Sequence, residues 1–115
     1  MQVGLKHEDG PVTVCTLAGN LEYLTVSQFR SVVAQLPPAQ NVVFEMSGTT
    51  FIDSAGIGAL IGAVRRVREM GAYAVVCGLR PSVYRVLNLV GLPRVVSITD
   101  DLAAARELLA AAAVA

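Results

Sequence analysis

Short runs of apolar, β-branched residues alternate along the chain with segments whose apolar positions recur every three or four residues, the two periods that separate strands from helices. "QVGLKH" and "VTVCTLAG" flank "EDGP", where Asp9-Gly10 supplies a pair that tolerates positive φ, and predict an opening β-hairpin. "TVSQFRSVVAQL" predicts a helix: Thr25 and Gln28 have capping-box spacing, Phe29, Val32, Val33 and Leu36 form one apolar stripe, and Pro37-Pro38 ends it. "NVVFEM" and "AYAVVC" have the character of strands covered on at least one face and paired in parallel through helical crossovers. A helix from Ser54 to Met70 lies between them. Wound at about 100° per residue, it sets Ile57, Leu60, Ile61, Val64 and Val67 on a core stripe and Ser54, Gly58, Gly62, Arg65 and Glu69 on another face. "RPSVYRVLNLVG" has Pro81 in a first turn and Gly91 at a C-terminal stop. "VVSI" reads as a last short strand, and "DDLAAARELLAAAAVA" as a closing helix with acidic residues at its positive end. The order predicts an α/β sandwich whose mixed, mostly parallel sheet has an antiparallel first strand and carries about four helices.

At 115 residues the chain has the length of one domain, 1–115, able to bury roughly 65% of the surface its unfolded form exposes. Nine basic side chains balance nine acidic ones, so no global field draws in nucleic acid or anionic lipid, and neither is expected as a partner. "MQVGLKHED" is unlike a secretory leader, and no apolar run approaches the roughly 20 residues a bilayer requires. A cytoplasmic protein is expected. Cys15 and Cys77 each lie in an apolar run with no second cysteine or histidine nearby, which favours buried thiols over a metal or redox site.

The chemistry concentrates in "TFIDSAGIGALIG", residues 50–62. Its glycines are spaced Gly56-x-Gly58-x-x-x-Gly62, one residue too long for a dinucleotide turn and without a phosphate-loop Lys-Ser/Thr, so no nucleotide cofactor is expected from them. A glycine inside a helix is about 1 kcal/mol less favourable than alanine. Two on the side that bears Ser54 mean either tight packing against a neighbouring loop or a bare surface for close approach by another protein, and their shared side favours the second. Asp53 and Ser54 are both good N-caps, so capping is the ordinary reading of the pair. Catalysis by Ser54 would need a base, and the only histidine, His7, lies in the opening hairpin. A phospho-aspartate at Asp53 would want further acidic residues and a later lysine, and the only lysine is Lys6. An enzyme is not expected.

"FIDSAGIGALIGAVRRVREMGAYAVVCGLRPSVYRVLNLVGLPRVV" resembles the central signature of STAS domains, in particular the stand-alone bacterial anti-sigma factor antagonists. The likeness runs from "LAGNLEYLTVSQF", similar to that family's Gly-x-Leu-Asp loop, to "NLVGL" before the last strand. It implies a STAS-like sandwich without a cofactor, and a serine after the aspartate, here Ser54, phosphorylated by an anti-sigma factor that is itself a GHKL-type serine kinase. The unphosphorylated form would bind that partner and release the sigma factor; the phosphorylated form would not, until a phosphoserine phosphatase restores it. The footprint implied is the loop 20–25 with Glu22, Tyr23 and Thr25, the turn 49–54 with Thr49 and Asp53, and the helix side carrying Gly56, Ile57, Gly58 and Gly62. Glu22 stands where the family usually has aspartate and precedes the apolar Tyr23 and Leu24; Glu45 in "VFEM" likewise stands where aspartate is frequent. The alternative is a scaffold or sensor STAS domain binding a small ligand or nucleotide, with Ser54 as a structural helix cap.

Overall fold

The structure is a computed structural model that describes residues 1–8 and 10–114. Strands β1 (Gln2–Glu8), β2 (Val12–Leu21), β3 (Asn41–Ile52), β4 (Ala74–Cys77) and β5 (Ser97–Thr99) form one sheet in chain order. Helices α1 (Val26–Val33), α2 (Ser54–Glu69), α3 (Pro81–Leu89) and α4 (Leu102–Val114) complete it, with a 3-10 turn at Leu92–Arg94. β1 is antiparallel to β2, and every later pairing is parallel. The predicted mixed sheet with an antiparallel opening strand is therefore the observed one. Gly10 has φ 80°, as its hairpin turn requires; Asp9 lies outside the described residues.

Alternation along the strands divides the interior into two layers. Cys15, Val42, Phe44 and Val76 face one side, where Phe29 of α1, Leu60, Val64 and Val67 of α2 and Leu87 of α3 cover them. Val14, Val43, Val75 and Cys77 face the other, against Ala105 and Leu109 of α4. Burial on both faces is why these strands read as continuous apolar runs. Desolvation pushes the Cys15 thiol up to about 12, and burial followed by the nearby Glu45 and Asp101 charges pushes Cys77 up to about 11. Neither thiol offers a thiolate near neutral pH. Both are therefore expected to stay silent toward a disulfide-exchange reagent until the protein unfolds, and fast native labelling of either would contradict this packing.

Several local expectations are corrected. Thr25 and Gln28 do not form a capping box: no side chain caps α1, because the Thr25 hydroxyl turns back to donate to Asn20 O at 2.6 Å and to accept from Glu22 N at 2.9 Å. α1 ends at Val33, three residues before Leu36, and tight backbone turns carry the chain on to the prolines. Residues 49–52, expected in a turn, extend β3, because Phe51 and Ile52 still pair with Asn20 and Leu21 of β2. The inward stripe of α2 is displaced by about one residue. Leu60, Val64 and Val67 are buried as expected, but Ala59 and Ala63 share the interior with them while Ile57 and Ile61 are half-buried at its margin. Small side chains let the helix axis come close to the sheet, and the bulkier isoleucines then fit only beside the contact. β5 is shorter and later than "VVSI", since the 3-10 turn and its continuation take up Val95 and Val96. Pro81 opens α3 and Gly91, at φ 81°, ends it, both where the sequence places them.

Candidate functional site

Asp53 and Ser54 lie where β3 hands over to α2, at the end of the sheet where its parallel strands finish. Asp53, in extended backbone conformation, is the N-cap: its Oδ1 accepts from Gly56 N at 2.9 Å. Its second oxygen, Oδ2, accepts from Tyr23 N at 3.1 Å, so one carboxylate caps α2 and holds the β2–α1 loop. These N–H groups, Gly56 first and Tyr23 next, hold its pKa below the ordinary aspartate value. Ser54 is thus the first residue inside the helix, not its cap, and its side chain is exposed. The expectation of Ser54 as a structural cap is overturned, because a single Ncap position exists per helix and Asp53 fills it.

The depressed pKa carries a sign. A carboxyl whose folded pKa is lowered stabilises the fold fully above its unfolded value, about 3.9, and loses that contribution as the pH falls through the folded value. The tie between loop and helix is therefore complete at neutral pH. In an NMR titration the amide signals of Tyr23 and Gly56 should move together, with a midpoint below about 3.9; a midpoint at or above that value would contradict the double acceptor role of Asp53.

The loop that Asp53 holds is itself ordered by short bonds. Glu22 O accepts from the amides of Thr25 and Val26, both at 2.9 Å, and the Thr25 hydroxyl ties back to the end of β2. Tyr23 and Leu24 are left 78% and 79% exposed on a fixed turn. On the helix, Ser54, Gly58, Gly62, Arg65 and Glu69 are all exposed, as the winding predicts. A Cβ at Gly58 or Gly62 would meet nothing within 4 Å, so neither glycine serves packing. Gly56 is the opposite case. A Cβ there would overlap the Leu21 carbonyl oxygen and lie 2.9 Å from Ile52 Cγ1.

Glu22, Tyr23, Thr25, Asp53, Ile57, Gly58 and Gly62 are thus brought together around Ser54, at least partly accessible. Thr49 and Gly56 are not on that surface. Thr49 is fully buried with its hydroxyl donating to Leu17 O at 3.2 Å, and Gly56 is buried under β2, so both belong to the scaffold beneath the site. Sequence reasoning missed the Asp53–Tyr23 bond, which joins positions thirty residues apart and leaves no local signal. Leu24, inside the expected footprint loop 20–25, is as exposed as Tyr23 beside it. Glu45 folds back on its own strand, accepting from Ser47 N at 2.7 Å and from the Ser47 hydroxyl at 3.1 Å.

Chemistry at Ser54 is limited by its neighbours. His7, the one candidate base, lies at the opposite end of the sheet, its Nδ1 2.9 Å from the Thr13 hydroxyl. Clefts of about 630 Å³, beside Lys6 and Arg106, and about 570 Å³, beside Tyr84 and Asp100, both lie away from Ser54. Among the described residues no group of three or more His, Cys, Asp or Glu could hold a metal ion, and no helix is long and apolar enough to cross a membrane. What remains is an exposed hydroxyl on a helix face with two bare glycines, beside a hydrogen-bonded loop carrying two exposed apolar side chains.

Comparison with known proteins agrees with this architecture. An anti-sigma F factor antagonist of Paenibacillus polymyxa is 27% identical over 104 residues, covering 88% of each chain. An anti-sigma-factor antagonist (STAS) domain protein from Planctomyces limnophilus superposes with a TM-score of 0.82 at 22% identity, over 94% of this chain and 97% of the other. The Bacillus cell fate determinant SpoIIAA in its phosphorylated form superposes with a TM-score of 0.69 at 19% identity, over 93% and 99%. Residues 5–105 match the STAS domain pattern, and with most of its length so matched the chain belongs to the STAS domain family.

Proposed function

We propose that the protein is an anti-sigma factor antagonist controlled at Ser54. In its unphosphorylated form it binds an anti-sigma factor with a GHKL-type serine kinase fold, in the cytoplasm, and the sigma factor is released. The partner phosphorylates Ser54, the complex parts, and a phosphoserine phosphatase resets the cycle. The protein acts as a binding module and substrate, not as an enzyme. The observation that carries this reading is the division of labour between two adjacent residues: Asp53 performs the capping, and Ser54 projects beside Gly58 and Gly62 with no structural duty. Support also comes from the name of the Paenibacillus polymyxa relative and from the existence of SpoIIAA in unphosphorylated and phosphorylated structures.

The test is incubation with the GHKL-type anti-sigma factor of the same genome and ATP, followed by mass spectrometry. One phosphate on Ser54, absent from Ser54→Ala, is the expected product, and an unmodified wild-type chain would refute the reading. Because Asp53 supplies the cap, Ser54→Ala should melt within about 0.5 kcal/mol of wild type. A second outcome concerns the docking face. Gly58→Arg or Gly62→Arg adds a long side chain where a partner's backbone would approach, so partner binding should be lost while the circular dichroism and melting midpoint stay near those of wild type. Normal binding by both variants would remove the helix face from the footprint.

A further inference from the structure

Because β2 to β5 run parallel, the molecule has a finishing end, where strands lead into helices, and a starting end, where helices lead back into strands. Among the described residues the five most exposed large hydrophobic side chains all sit at these ends. Tyr23 and Leu24, 78% and 79% exposed, follow β2 at the finishing end. Leu89 and Val90, 81% and 53% exposed, close α3 at the starting end, and Tyr73, 58% exposed, immediately precedes β4 there.

Charge separates along the same direction. Glu22, Asp53, Asp100 and Asp101 belong to the finishing end, against Arg80, and Lys6, Arg66, Arg68 and Arg94 to the starting end, against Glu69 and Glu8, the latter paired with Arg106. The net charge of zero hides this polarity. Acidic residues at helix N-termini and basic ones at C-termini complement the helix dipoles, which accounts for the charges. It does not account for an exposed apolar pair at each end. Beside Leu89 and Val90 the starting end also has a notch of about 310 Å³, walled by Pro93 and Arg94.

We propose that the two ends are complementary and that copies of this chain associate head to tail, Tyr23 and Leu24 of one copy seating against Leu89, Val90 and the notch of the next. Acidic excess at one end and basic excess at the other favour this polarity of contact, and aromatic and arginine side chains are those that dominate interface energetics. An anionic membrane would cover the starting end alone, whereas a second copy covers the starting end and also Tyr23 and Leu24, for which it would compete with the proposed anti-sigma partner. Such a contact is heterologous, so it leaves one free end of each kind and can propagate into longer chains or close into rings. It covers the neighbourhood of Ser54, so association would compete with access to that serine. The proposal itself does not depend on phosphorylation.

Sedimentation equilibrium of the full chain tests it. The average mass should rise with concentration into the millimolar range, and fall when salt is raised, as screening shortens the reach of the end charges from about 10 Å at 0.1 M to about 3 Å at 1 M. Leu24→Asp and Leu89→Asp, both at exposed positions, should each weaken self-association about tenfold or more. Mixed in equal amounts, the two variants should form a species of two copies, because each retains the end the other lacks. A wild-type chain that stays monomeric at every concentration would overturn the proposal, and so would variants that self-associate like wild type or fail to pair with each other. Binding of the monomer to phosphatidylserine vesicles, abolished by Leu89→Asp, would assign the starting end to a membrane and overturn it equally.

Discussion

Gly56→Ala is expected to lower stability by about 3 kcal/mol or more, whereas Gly58→Ala, two residues further along the same helix, should raise it by up to about 1 kcal/mol. At Gly56 the added methyl group would overlap the Leu21 carbonyl oxygen, with Ile52 Cγ1 at 2.9 Å on another side. That oxygen also accepts from Asp53 N at 3.3 Å, so moving it disturbs the junction of β2 with the start of α2. Neither neighbour is the free end of a flexible side chain, and backbone in a parallel sheet gives way reluctantly. At Gly58 a Cβ meets nothing within 4 Å, so alanine simply restores the helix propensity that glycine forfeits. Guanidinium unfolding midpoints of the two variants should therefore move in opposite directions from wild type. Against a total stability of about 5–15 kcal/mol for such a domain, the first change brings partial unfolding at moderate temperature. Equal midpoints for the two alanine variants would show that α2 is not seated against β2 as described.

Phosphorylation of Ser54 is expected to weaken binding to the anti-sigma partner by about a thousandfold, equivalent to roughly 4 kcal/mol. A phosphate brings a charge of about −1.5 to −2. A helix N-terminus ordinarily neutralises part of it, yet here Gly56 N already donates to the Asp53 carboxylate and Ile57 N to the Asp53 carbonyl. Asp53 is ionised at neutral pH, so a phosphate on Ser54 would stand beside a like charge. The fold is spared and the penalty falls on the complex, where a partner docked on Gly58 and Gly62 would have to bury both charges. Titration calorimetry with phosphorylated and unphosphorylated protein measures the ratio directly. Ser54→Ala should bind like the unphosphorylated form. Ser54→Asp, with a single charge and a shorter reach, should fall between the two. Equal affinity of the phosphorylated and unphosphorylated forms would sink the switch, whatever the aspartate variant does.

Legibility in the sequence followed the range of the interaction involved. The element order, the antiparallel opening strand, the Pro81 and Gly91 boundaries and the outward face of α2 were all readable, because each is written in residues a few positions apart. The exposure of Ser54, Gly58 and Gly62 belongs to this class, since a single helix winding predicts it. The capping assignment did not: Asp53 and Ser54 are equally good caps by residue type, and only the backbone path of β3 decides that Asp53 occupies the Ncap position. That path in turn depends on β3 continuing to pair with β2 as far as Ile52, which the threonines at 49 and 50 do not announce.

Three glycines in one motif look alike in sequence and have two different reasons to be glycine. Gly56 is required by the approach of β2, while Gly58 and Gly62 face open space. The same holds for Asp53, whose second oxygen finds Tyr23 N thirty positions earlier in the chain, and for the polarity of the two ends, which a net charge of zero conceals. By itself the sequence determined the order and type of the elements and the local chemistry around Ser54, because hydrophobic period, β-branching and turn residues act within a few positions. Only the tertiary structure decided which glycine is packed, which acid is the cap and how the β2–α1 loop is held beside the serine, because those depend on strands brought side by side by the burial of a common core.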